Sequence, residues 1–408
     1  MVKIAVISDL HLGFTPDSER EKDCYEQAAD AFNKALDEEP DMIILIGDIF
    51  HKKIPAQETL GNAITFFSEV NTKLGKEIKV LEREGKERKK GRFPAIVTIY
   101  GTHERRNEGK LNPVHILEKA NLLYCLHKES ILTQFDGVRI GLHGLSGVHD
   151  KFAKNELFDW NPKPFDRAVN LFLIHQTFND IIPTNDEEFL EFQDLPEGFD
   201  LYLLGHIHWN LEDKHPVSKA PILVPGSTIA TQLRDIESKK PKGFYMISIL
   251  HGQTRIKFVP IKTRPFIFEK MDVNGRKPSE ILSMLSEKIS TLLKESYWKK
   301  PIFRLKLEGN LAEGFSPVDL QLKPLIDRYD SKAILKIDKS SLTSSELEKR
   351  KSFLQGLIDE KESVNKIGLD ILMKSLNFSD PRLEELFDFL SEGDIESAEE
   401  VINKLELI

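Results

Sequence analysis

Five apolar, β-branched runs in this chain each break off at an aspartate or a histidine. KIAVIS leads into Asp9-Leu10-His11, DMIILIG into Asp48-Ile49-Phe50-His51, AIVTIYG into Thr102-His103-Glu104, NLFLI into His175, and DLYLLG into His206-Ile207-His208. VRIGLHG and PILVPGS are further runs of the same kind, and amphipathic stretches separate them. Short apolar runs alternating with helical patterns read as α/β, with helices covering a sheet. Several runs are apolar on both faces, as strands buried between layers must be. The segment SEREKDCYEQAADAFNKALDEE places Ala28, Ala31, Phe32 and Ala35 on one helical face, and Ser18 with Glu21 predicts a capping box at its start.

The strand ends carry the chemistry. An open α/β sheet holds its ligands at the carboxyl edge of the strands, and one acidic or histidine ending there would be commonplace. Five endings on one edge make a constellation, and the chemistry that needs both oxygen and imidazole donors is a dinuclear metal centre. Asp9 and His11, like His206 and His208, are two residues apart, so in extended backbone each pair points the same way. Asp48 is the natural bridge, since a carboxylate can span two ions roughly 4 Å apart. His143, in GLHG, also follows a strand and reads as a core support. His115, His127, His149, His215 and His251 lie outside the pattern.

With 408 residues, two or three domains are expected. A composition 40% hydrophobic and 30% charged excludes a wholly disordered chain. No run of eighteen apolar residues exists, and Met1 leads directly into VKIAVIS, so an intracellular, cytoplasmic protein with no membrane segment is expected. Cys24 and Cys125 match no metal or disulfide spacing and read as core thiols. The net charge of −9 is concentrated at the end: Lys366 to Ile408 holds four basic and eleven acidic residues. The remainder can therefore present a basic face, and Leu81 to Arg92 is one cationic segment.

The pattern predicts four regions: 1–264 carrying the strand-end residues, a smaller β-α-β-α-β unit over 265–345, a polar linker over 346–365, and short amphipathic helices over 366–408. From Pro265 to Ser345 there are fourteen basic against eleven acidic residues. The tail is too small for its own core and is expected to dock on something; Leu372, Leu376, Leu383, Leu386, Phe387 and Leu390 are its apolar positions.

SDLHLG, GDIFH, GTHE, IHQ and GHIH, in that order, resemble the calcineurin-like metallophosphoesterase superfamily. GDIFH, the PGST and QLRDIE segments at Pro225 to Glu237, and the β-α-β unit resemble its meiotic-recombination-eleven branch, the SbcD-type nucleases of double-strand-break repair. The resemblance implies a sandwich of two mixed sheets flanked by helices, with an α+β capping domain and a helical tail. It implies two divalent ions, Mn²⁺ by family precedent, one held by Asp9, His11, Asp48 and His208 and the other by Asp48, His175 and His206. Thr102 stands where the superfamily usually has an Asn ligand, which implies a weaker second site. His103 would act on the leaving group and His51 would orient DNA, with Arg105, Arg106, Lys52 and Lys53 contacting phosphates. DNA ends, single-stranded DNA, a homodimer and a Rad-fifty or SbcC-type coiled-coil ATPase are the implied partners. The implied activity is 3′–5′ exonuclease on duplex and endonuclease on single strands. A phosphoesterase acting on nucleotides or phosphoproteins, and a DNA-end scaffold weakened at Thr102, remain alternatives.

Overall fold

A computed structural model describes residues 1–85, 92–107, 109–183, 189–250 and 252–343, together with Leu386, Phe389 and Val401. Most of the cationic segment after Gly85, His251, and the tail positions Leu372, Leu376, Leu383, Phe387 and Leu390 lie outside the described residues. Leu386 is helical and partly buried.

Two mixed sheets form the larger body. In the first, the strands run in the order Gln253–Pro260, Gly243–Leu250, Val2–Ile7, Met42–Ile46, Ile96–Ile99 and Tyr124–Cys125. Val2–Ile7, Met42–Ile46 and Ile96–Ile99 are parallel, so their carboxyl ends share one edge. The second sheet runs Leu211–Lys214, Pro221–Val224, Leu201–Gly205, Val169–His175, Val138–Leu145, Glu129–Phe135 and Glu82–Glu84. Its central strands Val138–Leu145, Val169–His175 and Leu201–Gly205 are again parallel.

The alternation of side chains decides how the layers pack. Leu171, Leu173, Leu201 and Leu203 of the second sheet join Ile4, Ile44 and Val97 of the first in one core, while Phe172, Ile174, Tyr202 and Leu204 enter a separate core with Ala153 and Leu157. Helices Glu21–Asp37 and Gln57–Leu74 contribute Ala28, Phe32, Phe67 and Val70 to the first of these. All seven strands expected from the sequence form. The hairpin Gly243–Leu250/Gln253–Pro260 and strand Glu129–Phe135 were not among those expected. The hairpin's second strand is charged and half-exposed, which masks the period-two pattern. Both cysteines are buried and free.

The predicted capping box is corrected. The helix begins at Glu21 with Arg20 at its N-cap and no side-chain cap. Ser18 Oγ donates to Thr15 O, and Glu21 accepts from Asp17 N, so both residues close the preceding turn.

Beyond Arg264 the expected order of elements appears: Phe266–Asp272, helix Pro278–Leu292, Ile302–Asn310, helix Lys323–Tyr329 and Ile334–Thr343. The three strands form one sheet with Ile302–Asn310 in the middle. Helix Pro278–Leu292 buries Ile281, Leu285 and Ile289 at four-residue spacing, the stripe a one-sided helix requires. Compact units divide as Met1–Glu269 with Ser296–Arg304 and Asp330–Lys336, and Lys270–Glu295 with Leu305–Tyr329 and the chain from Ile337 onward. No helix among the described residues is long and apolar enough to cross a membrane.

Candidate metal centre

The expected residues meet where the parallel strands of both sheets end. Asp9, His11 and His208 bring one ligand atom each within 4.8 Å of one another, and so do Asp48, His175 and His206. His11 Nε2 lies 3.9 Å and His208 Nε2 3.7 Å from Asp9 Oδ1, while His175 Nε2 lies 3.3 Å from Asp48 Oδ2. Five of these six residues are buried.

The extended backbone expected for the Asp9/His11 and His206/His208 pairs is corrected here: the chain gives up its preferred conformation to bring these side chains together. Asp9, His11, Asp48 and His206 all have positive φ, at 52°, 49°, 48° and 79°. Such residues each cost of order 1–3 kcal/mol, and four at one sheet edge mark a place where geometry outranks local stability. Close approach also explains two glycines at this edge. A methyl on Gly101 would overlap Asp48 Oδ1, and one on Gly205 would overlap Ile46 O and the His175 ring.

Whether these residues fit divalent cations can be read from their unmet valences. Asp9 Oδ1, Asp48 Oδ2 and His175 Nε2 are buried without hydrogen-bond partners, an arrangement costly for a protein alone. Each triad offers one carboxylate oxygen and two imidazole nitrogens, a donor set suited to first-row divalent ions. The other ring nitrogens are occupied. His175 Nδ1 donates to Ile46 O at 2.7 Å, and His208 Nδ1 lies 2.8 Å from Thr231 Oγ1. These contacts fix the rings and leave Nε2 of each toward its triad. The residues fit a pair of divalent ions.

Electrostatics agree with that assignment. Burial lowers His11 to about 3 and His206 to about 4, so these imidazoles are neutral, as ligands must be. Burial also lowers His208 well below the usual value. Burial opposes charge on His175 too, but Asp48 outweighs it and raises His175 to about 9. Burial pushes Asp48 upward, yet His175, His11 and His103 hold it below the usual carboxylate range. Burial raises Asp9 to about 7. A dication bound here would require both His175 and Asp9 in their deprotonated forms.

His103 stands beside the triads. Its backbone N donates to Asp48 Oδ1 at 2.9 Å, and its Nδ1 donates to His51 O at 2.7 Å. Its ring centroid is 5.0 Å from that of His11 and 5.0 Å from that of His51. His51 Nδ1 is 3.4 Å from His11 Nδ1. Thr102 Oγ1 is 3.4 Å from His206 Nδ1, at the second triad. Lys52, Lys53 and Arg105 are exposed, whereas Arg106 donates to Leu111 O at 3.2 Å and so is partly engaged by its own loop. His143 is buried between Ser130 and Asn170, away from both triads.

Glu104 was missed by sequence reasoning, although it closes the GTHE motif. Its carboxylate accepts from Phe50 N and Gly101 N, each at 2.7 Å, and so ties the loop after Asp48 to the loop before His103. Its partners are backbone groups, which no residue pattern announces. Thr231 was missed for a related reason: it meets His208 only through the turn after Val224.

Comparison with known proteins places this geometry. A family model described as calcineurin-like phosphoesterase matches residues 2–210. The DNA double-strand break repair protein Mre11 of Sulfolobus acidocaldarius is 26% identical over 405 residues, covering 98% of this chain and 97% of that protein. Its counterpart in Saccharolobus solfataricus is 27% identical over 414 residues, covering 99% and 98%. A dimetal phosphatase from Danio rerio superposes with a TM-score of 0.35 at 10% identity, over 63% of this chain and 95% of that one, too distantly to add to the assignment. The family match encloses both triads, so the chain, a metal-dependent phosphoester hydrolase, belongs to the calcineurin-like phosphoesterase family.

Proposed function

We propose that this protein is a Mn²⁺-dependent DNA nuclease of double-strand-break repair, a 3′–5′ exonuclease on duplex ends and an endonuclease on single strands. The observation that carries the reading is the near-complete mutual coverage with relatives named as double-strand break repair proteins, over a chain whose two donor triads converge. In this reading Asp9, His11, Asp48 and His208 hold the first ion, and Asp48, His175 and His206 the second, with Thr102 a weak addition. Such a pair, when bound, would supply Lewis-acid polarisation of a phosphoryl oxygen, a lowered pKa for water and charge stabilisation of the leaving oxygen. His103, fixed through its Nδ1, presents its other nitrogen to the leaving group as a general acid. His51 orients the DNA. Lys52, Lys53, Arg105 and Arg106 neutralise backbone phosphates without reading sequence.

The proposed organisation is a nuclease domain over 1–264, a DNA-binding capping domain over 265–345, a linker over 346–365 and a tail over 366–408 that docks on a Rad-fifty-type ATPase. The protein acts as a homodimer inside the cell, at the nucleoid.

End-labelled duplex DNA and bis-p-nitrophenyl phosphate, each incubated with Mn²⁺, test the reading. Shortening of the duplex from its 3′ ends is expected. A protein that turns over the small diester and leaves duplex and single-stranded DNA intact is a small-substrate phosphoesterase, and the nuclease reading fails.

A further inference from the structure

Lys242 is a buried ammonium behind the first triad, and no step described above uses it. Its residue is 5% exposed, and Nζ donates to His208 O at 2.5 Å, Ser227 Oγ at 2.9 Å and Glu237 Oε1 at 2.8 Å. An ammonium has three protons and no acceptor, so its hydrogen bonding is complete.

All three acceptors frame one ligand. His208 O is the main-chain carbonyl of a first-triad residue, and Ser227 N donates to that same oxygen at 3.3 Å. Ser227 Oγ, which accepts from Lys242, donates onward to Ile229 O at 2.6 Å. Glu237, the other acceptor, also takes the backbone N–H of Arg234 at 3.1 Å. Between Ser227 and Glu237 lies Thr231, whose Oγ1 is 2.8 Å from His208 Nδ1. Lys242 therefore grips the backbone of His208 and both ends of the segment that presents a hydroxyl to its ring.

The need for such a grip differs between the ligands. The His175 ring is fixed by Ile46 O, a main-chain group inside a strand of the first sheet. His208 follows the end of strand Leu201–Gly205, and its ring is met by a side-chain hydroxyl, which can rotate. A buried ammonium–carboxylate pair is in itself a weak source of stability, because desolvation opposes the attraction and an apolar pair of similar volume often serves as well. Contact with the ligand's own carbonyl supplies a different reason for it.

We infer that Lys242 and Glu237 are positioning residues, which hold the Ser227–Glu237 segment against His208 so that Nε2 is aimed at the first cation. The inference rests on the metal-centre reading. It also accounts for the QLRDIE motif, whose final glutamate is the partner of Lys242.

The test compares the full-length wild type with Lys242→Met/Glu237→Leu, because Lys242→Met alone strands a buried carboxylate. The double variant is expected to melt close to the wild type and to bind its first Mn²⁺ about ten-fold more weakly or worse by calorimetry. Its phosphodiesterase rate should return toward the wild-type value at saturating Mn²⁺. If the wild type takes up no Mn²⁺, the metal-centre reading fails and the inference goes with it. If the wild type binds and the folded double variant binds its first ion equally tightly, the inference alone is overturned. A double variant that does not fold assigns the pair to stability and overturns it too.

Discussion

Asp48→Ala is expected to lower Mn²⁺-dependent phosphodiester hydrolysis by about 10³-fold or more, since the lost stabilisation amounts to several kcal/mol. Asp48 is fully buried and is the carboxylate of the second triad, and the proposed centre has it serve the first ion as well. Its Oδ1 also receives the His103 backbone N–H, and its Oδ2 faces His175 Nε2. The substitution would therefore remove the carboxylate proposed to serve both ions, leave His175 without its counter-charge and free the loop that carries His103. Rates on bis-p-nitrophenyl phosphate across a Mn²⁺ titration check this. Wild-type turnover in a folded Asp48→Ala protein would remove Asp48 from the centre.

His103→Ala is expected to separate catalysis from metal binding. Imidazole acid catalysis contributes about 10²- to 10⁴-fold, and a loss in that range is expected on DNA. Mn²⁺ affinity should stay near the wild-type value, because His103 gathers with His11 and His51 in an all-histidine group that has no carboxylate and lies outside both Asp-containing triads. The loss should shrink on bis-p-nitrophenyl phosphate, since nitrophenolate departs without a proton. Equal losses on both substrates would argue against a leaving-group acid and in favour of a role in general transition-state stabilisation. An undiminished rate on DNA would remove His103 from the chemistry.

Much of the centre was legible because its residues lie in the sequence beside the strands that deliver them. KIAVIS, DMIILIG and DLYLLG are parallel strands with one polar end, and the residues at that end meet. What stayed hidden depends on partners distant in the chain. Thr231 and Lys242 acquire meaning only when the turn after Val224 folds back over His208. Glu104 acts through two backbone N–H groups, which leave no mark on composition. The start of helix Glu21–Asp37 was misplaced because Ser18 and Glu21 have the spacing of a capping box while their side chains bond within the preceding turn. The left-handed backbone at Asp9, His11, Asp48 and His206 was invisible for the opposite reason. Non-glycine residues seldom adopt it, so no pattern calls for it; the surrounding packing imposes it.

Thr102 stands where the resemblance implies an asparagine ligand, and its geometry sets a quantitative expectation. The hydroxyl reaches the second triad, 3.4 Å from His206 Nδ1, but a neutral hydroxyl donates to a cation less well than an amide carbonyl. Calorimetric titration of the metal-free protein with Mn²⁺ tests the two-ion account most directly. Two ions per chain are expected, bound with distinctly different affinities, and Thr102→Asn should strengthen the weaker one. One ion per chain at saturation, or none, would contradict the account.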